Sequence, residues 1–332
     1  MPFVLKNSNL IKFLILILLF IIGCALSLFF GGTENILTSE INAHNFIFWQ
    51  IRFPKTLTAI IAGSALSVSG LILQIIFRNP LAGPYVLGIS SGASLMVAVG
   101  ILAGSSLPFV PGFFIGKSFI VLSAITGSVL ITLLILLISK KVGSNIILLL
   151  IGLMLSQICG AIQVALEYFS DPNDLKTFVI WGMGSLANTT NFDLVIFLPL
   201  TLICLLSLLF FIKPLNALLL GQNYVQNAGI NFKRSRFYLI LISSILTGLT
   251  TAFCGPIAFV GIAVPILSRM VFSSSKQQIH FASCILIGSV ILLYSDALCS
   301  SAIKGMSLPL NMITTLIGAP LVIYLMFRNK HW

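Results

Sequence analysis

Residues 78–95 read RNPLAGPYVLGISSGASL and lie between two strongly apolar runs. Proline removes a backbone donor and its ring clashes with the preceding turn, so Pro80 and Pro84 forbid a continuous helix here. Gly88, Ser90, Ser91 and Gly92 let backbones approach closely and offer hydroxyls to carbonyls left without partners. At membrane depth, irregular backbone is tolerated only where protein or a water-filled cavity surrounds it. The stretch is therefore either a tight helical hairpin or a packed element beside a translocation path. A second stretch, GPIAFVGIAVPILSR at 255–269, carries the same Gly/Pro interruption without matching the first residue by residue. Paired broken segments in two halves of a membrane chain point to a transporter.

The surroundings of both stretches fix the class. The chain is 332 residues long, 58% hydrophobic and only 8% charged, with mean hydropathy +1.13, whereas soluble domains carry roughly 25% charged residues. A membrane helix takes about 20 apolar residues. On that measure ten spans are expected, near 11–30, 55–77, 91–107, 117–139, 145–168, 192–212, 237–254, 257–272, 280–299 and 310–327, the third and eighth being short beside a Gly/Pro break. The expectation is an all-α polytopic membrane protein whose residues 1–332 form a single integral domain.

Charge supports that count and gives it a direction. With the first residue cytoplasmic, ten crossings put Lys6, Lys12, Arg78, Lys140, Lys141, Lys213, Lys233, Arg234, Arg236, Arg269, Lys276, Arg328 and Lys330 inside, leaving Arg52, Lys55, Lys117, Lys176 and Lys304 outside. All seven acids, Glu34, Glu40, Glu167, Asp171, Asp174, Asp193 and Asp296, fall in or near outward ends. Lys/Arg asymmetry sets orientation, so both termini are expected in the cytoplasm. The net charge of +11 is then a matter of topology. Nucleic-acid binding would need a contiguous basic face with stacking aromatics, which the sequence lacks.

Two motifs mislead. IIGC at 21–24 looks like a lipoprotein cleavage site after Lys6 and Lys12, but the apolar run continues through Leu28, Phe29 and Phe30, so an uncleaved first helix is expected. GFFIGKS at 112–118 looks like a phosphate-binding loop, yet it has three residues between its glycines where the motif needs four, and the topology puts it outside. Hydrolysis of ATP by this chain alone is not expected. Cys24, Cys159, Cys204, Cys254, Cys284 and Cys299 are scattered singly with no ligand spacing, so they read as packing residues and no metal site is expected.

The run IRFPKTLTAIIAGSALSVSGLILQIIFRNPLAGPYVLGISSGASL at 51–95 resembles the signature region of the FecCD family, membrane permeases of bacterial ATP-driven importers for iron–siderophores, haem and cobalamin. LLIGLMLSQICGAIQ (149–163), DPNDLKTFVIWGMGSL (171–186), AGINFKRSR (228–236), GPIAFVGIAVPILSR (255–269) and TTLIGAP (314–320) follow in the family's order. The resemblance implies a cobalamin-importer-like fold of ten helices in the bacterial inner membrane. It also implies a second permease subunit, either another copy or a related chain, two cytoplasmic ATPases that hydrolyse the ATP, and an extracytoplasmic binding protein. No cofactor is bound by the chain itself, and the transported molecule is not chemically altered.

The resemblance also suggests where each task lies. The connection at 214–236 matches the ATPase-docking helices, with Gly221, Gln222, Asn223, Gln226 and Gly229 as the docking residues. Similar permeases place an acid after the glycine matching Gly221, an acid at the position of Gly83 and a His at that of Ile266, and this chain departs at all three. Arg52 and Lys55 match a basic pair that meets acidic groups of the binding protein, though basic residues at a helix end can also simply snorkel to the interface. An arginine of the same surface aligns with Ser300, and Lys304, one turn on, can take its place. Ser144 and Asn145 match the inner gate, a role compatible with helix N-capping. A secondary transporter without an ATPase is the rival reading, but such carriers hold ionisable groups within their spans, where here only Glu167 and Asp296 come close. A membrane enzyme would need a clustered His/Asp/Glu set, which no span contains.

Overall fold

A computed structural model describes residues 2–30, 46–103, 117–139, 142, 145–220, 231–301 and 308–328. Twelve α-helices and no strand occur among the described residues: α1 (Pro2–Phe30), α2 (Phe53–Phe77), α3 (Ile89–Ala98), α4 (Lys117–Ser139), α5 (Asn145–Phe169), α6 (Pro172–Gly182), α7 (Asn191–Leu209), α8 (Ile212–Leu220), α9 (Phe232–Cys254), α10 (Val260–Val271), α11 (Gln277–Ser301) and α12 (Leu310–Arg328). Seven of them, α1, α2, α4, α5, α7, α9 and α11, are long and apolar enough to cross a membrane, and three shorter apolar helices cover Ile89–Leu102, Val260–Val271 and Leu310–Leu325. The ten expected spans correspond one to one with these seven long and three short helices. Helix α6 was not expected, whereas α8 opens the connection at 214–236 for which the resemblance implies short helices. Pro172 at the first position of α6 after an extended Asp171 explains that helix.

Helix α2 is the axis of the molecule. A wide π-helical turn, Phe48–Arg52, leads straight into it, and almost every residue from Pro54 to Phe77 is buried. It packs on α11, α9, α10 and α7. Helices in a membrane gain little from hydrophobic association, so they associate by close packing of small residues and by hydroxyl bonds. The sequence supplies both. Gly63 faces Gly288 of α11 and Gly70 faces Gly261 of α10, and at each crossing an added Cβ would fall on the opposing backbone. Between those crossings Ser67 donates to the Cys284 carbonyl at 2.8 Å, and Ser69 shares hydrogen bonds with Ser243 at 2.6 Å and Thr247 at 3.0 Å of α9. Gly92 of α3 crosses Gly127 of α4 in the same way.

The outer helices bury much less. Leu14, Leu18 and Ile21 of α1, Met154 and Ile158 of α5, and Val195 and Ile203 of α7 all face outward, as side chains do that meet lipid. Aromatic side chains mark the two ends, as at membrane interfaces. Tyr168, Phe169, Phe192 and Trp49 are exposed at one end, where Asn191 donates to the Trp49 carbonyl at 3.0 Å. Phe210, Phe237 and Tyr238 are exposed at the other, with Phe211 and Tyr238 rings 6.2 Å apart. The six cysteines are all free thiols, four of them buried in the packing as expected.

Candidate functional site: a neutral polar cavity between two broken segments

Both interrupted stretches of the sequence reach the same cavity, of about 600 Å³. Residues 79–88 run as turns from the end of α2 to the start of α3. Gly88, at φ +77°, makes the last turn, and its missing side chain lets the backbone sit against Gly152 and Ser156 of α5. Tyr85 and Val86 of this turn, with Ser90, Ser91 and Ser94 of α3, form one wall. The second broken stretch supplies Pro256, Phe259 and Ile262. Phe259 holds φ 65°, a left-handed conformation uncommon for a bulky residue. The surroundings hold it there: the Ala258 N–H donates to the Asn311 side chain at 3.2 Å, and α12 presses on Phe259 at Gly318, where a Cβ would find no room.

The third wall is α5. Ser156, Gly160, Gln163 and Glu167 recur at intervals of four, three and four, which puts them on one helical face. Ser156, Gln157, Gly160 and Gln163 reach the cavity, and Gln163 donates to the Ser91 carbonyl at 3.3 Å. Every polar group of the lining is neutral: hydroxyls, amides and backbone. Such a surface can hydrogen-bond a passing solute without binding an ion or relaying a proton. Among the described residues no cluster of His, Cys, Asp or Glu suits a metal ion.

The residues expected to carry function are distributed unevenly. Gly221, Gln222, Asn223, Gln226, Gly229, Lys304 and Ser144 lie outside the described residues. Asn145 is the first residue of α5. Arg52 and Lys55 are described, and both are buried. Lys55 Nζ lies 3.0 Å from the Asp296 carboxylate and donates to Ser300 Oγ at 2.6 Å. Arg52 donates to the Leu28 carbonyl at 2.9 Å, while Ser27 bonds Thr56 at 2.8 Å. The expected docking pair thus ties α1, α2 and α11 together in this conformation. Sequence reading notes Asp296 only as an acid near an outer end, without its pairing to Lys55, and gives Asn311 no role. The spacing of Ser156, Gly160 and Gln163 would have revealed the α5 face.

Two departures from the family pattern have a physical account. A side chain at Gly83 would meet Ile262, whose Cγ1 lies 2.6 Å from the position of its Cβ, so an acid there would have to displace the Ile262 side chain. Ile266 is fully buried, in an apolar cluster with Ile262, Val322 and Leu325, where a His would lack partners.

A polytopic helical bundle with a neutral polar cavity between two broken segments is an architecture suited to a membrane transport permease. The chain belongs to the FecCD transport family, whose pattern matches residues 10–328. It is similar to the hemin transport system permease protein HmuU of Yersinia pestis, 35% identical over 96% of this chain and 94% of that one. It is also similar to the vitamin B12 import system permease protein BtuC of Pectobacterium atrosepticum, 34% identical over 87% of this chain and 85% of that one. Among solved structures, a metal-chelate type ABC transporter in an inward-facing conformation matches with TM-score 0.83 and 30% identity, covering 99% of this chain and 100% of the other. PsaBC from Streptococcus pneumoniae, in complex with Fab, shares the fold at TM-score 0.57 and 16% identity, over 84% of this chain and 91% of that one.

Proposed function

We propose that this chain is the membrane permease of an ATP-driven importer that passes haem, an iron–siderophore or cobalamin into the cytoplasm. The observation that carries the reading is the neutral lining of the cavity. A carrier driven by protons or sodium places ionisable groups along its path, whereas a path lined by hydroxyls and amides depends on power from outside. The relatives named above transport hemin and vitamin B12, large ligands that suit such a passage.

In this reading two permease subunits, identical or related, meet two ATPases at the connection centred on Gly221, Gln222, Asn223, Gln226 and Gly229. Both termini face the cytoplasm, and Ser144 and Asn145 form the inner gate. The binding protein docks at the end that carries Arg52, Lys55 and Lys304, where its acidic groups compete with Asp296 for Lys55. Such charge pairing gives orientation and encounter rate more than affinity. Cargo choice rests with the binding protein.

The test is co-purification of the tagged chain with the ATPase and binding protein encoded beside it, followed by identification of the bound ligand by mass spectrometry and absorption. A complex carrying an iron chelate, haem or a corrinoid supports the reading. A chain that purifies without an ATPase, and that takes up solute on an ion gradient alone, overturns it.

A further inference from the structure

The inner end of the central helix meets both arms of the connection between α8 and α9. The chain enters that connection through α8, whose last carbonyls have no partner within the helix. Arg78, the residue that closes α2, donates from Nη2 to one of them, the Leu218 carbonyl, at 3.1 Å. A cation at a helix C-terminus is favoured by the helix dipole as well. The chain leaves the connection through α9, and there the Arg236 guanidinium lies over the ring of Phe77, 5.8 Å from its centre. Phe77, the last residue of α2, and Arg78, which closes it, therefore hold the two arms.

On the other side, the same two residues begin the path to the cavity. Residues 79–88 follow Arg78 directly, and Tyr85 and Val86 among them line the cavity. The turn is well built: the Arg78 and Asn79 N–H groups close on the Ile75 and Gln74 carbonyls at 3.3 and 3.2 Å, and Asn79 Oδ1 accepts from Leu81 N at 2.8 Å. Arg78 itself holds a left-handed conformation, φ 48° and ψ 41°. Glycine is the usual occupant of such a helix-ending position, so the arginine is present at some conformational cost. The side chain is exposed, so burial does not offset that cost, and its resolved contact is the hydrogen bond to Leu218.

We propose that Arg78, with Phe77 beside it, is the positioning residue that transmits displacement of the α8–α9 connection to the cavity wall at residues 79–88. The inference rests on the ATP-driven reading above, in which that connection receives the ATPases. Movement of α8 pulls on the Leu218 carbonyl, the guanidinium carries the pull to the end of α2, and the short turn carries it to Tyr85. Without the guanidinium, ATP is still hydrolysed but less cargo moves for each ATP.

The test uses the complete complex in proteoliposomes, with hemin, a ferric hydroxamate and cyanocobalamin tried in turn and the one transported by the unsubstituted protein retained. Arg78→Gly removes the guanidinium while placing at this φ the residue that adopts it most readily, so its thermal stability should equal or exceed the original. Transported cargo per ATP should fall about tenfold, the factor that corresponds to roughly 1.4 kcal/mol, and Arg78→Lys should recover part of the loss. A stable Arg78→Gly complex with an unchanged ratio overturns the proposal, as does a loss of transport matched by equal loss of ATP turnover. Failure of the unsubstituted complex to move any of the three probes with ATP removes the functional reading, and this inference with it.

Discussion

Lys55 and Asp296 come from distant parts of the chain and meet at 3.0 Å in the interior. Removing one member of a buried pair strands the other, at a cost of about 3–5 kcal/mol, whereas apolar replacements of both are often neutral. Lys55→Met and Asp296→Leu should each lower the thermal unfolding midpoint of the purified permease sharply, and the double variant should regain most of it. Equal midpoints for all four proteins would contradict the pairing. The sequence shows why this was hidden: a basic residue at the end of an apolar run reads the same whether it snorkels outward or turns inward. Nothing near Lys55 announces Asp296, and Ser300, read as a lost docking arginine, is here an acceptor for Lys55. Charge-reversal tests of binding-protein docking at Arg52 and Lys55 must therefore be read only on complexes that assemble, since reversal also disturbs α1, α2 and α11.

At the scale of the helices, packing is decided by where a side chain is absent. Gly70 of α2 lies against the Gly261 backbone, with no flexible neighbour to give way, and overfilling a packed contact costs typically 1–3 kcal/mol or more. Gly70→Val should thus reduce the folded yield in the membrane and the unfolding midpoint. Gly160 of α5 has open space around it, and Gly160→Ala should stay within about 0.5 kcal/mol of the original stability. Equal behaviour of the two variants in a detergent melting series would contradict the close crossing. Long spans were legible because α2, α4, α5, α7, α9 and α11 each carry an unbroken apolar run. Helix α6 was not, since its 11 residues hold Asn, Asp, Lys and Thr and read as a loop. Helix α8 was legible only through the family resemblance, because Lys213 and Pro214 open a short amphipathic run that membrane hydropathy does not register. The broken segments were legible as irregular. That they share one cavity depended on contacts between Ala258 and Asn311 and between Gly88 and α5, which no local pattern encodes.

For the molecule as a whole, orientation and power source are both accessible to direct measurement. On the proposed topology, residues 214–236 lie in the cytoplasm and 170–190 outside, as the distribution of basic residues leads one to expect. Single cysteines at Asn223 and Asn173, in a background lacking the six native thiols, should label from opposite sides of the membrane, and labelling from one side would contradict the ten-span order. The purified chain should hydrolyse no ATP, because its only GKS sequence, 116–118, has the wrong spacing for a phosphate loop. Turnover that persists alongside a catalytically dead ATPase control would contradict this. A conduit driven by ATP hydrolysed elsewhere is distinguished from an ion-coupled carrier by uptake into proteoliposomes. Permease, ATPase and binding protein are reconstituted with ATP on the ATPase side, and cargo accumulation is compared with that under a proton or sodium gradient without ATP. Accumulation is expected with ATP alone, abolished by an inactive ATPase and indifferent to either gradient; accumulation driven by a gradient in the absence of ATP would rule out an ATP-powered conduit.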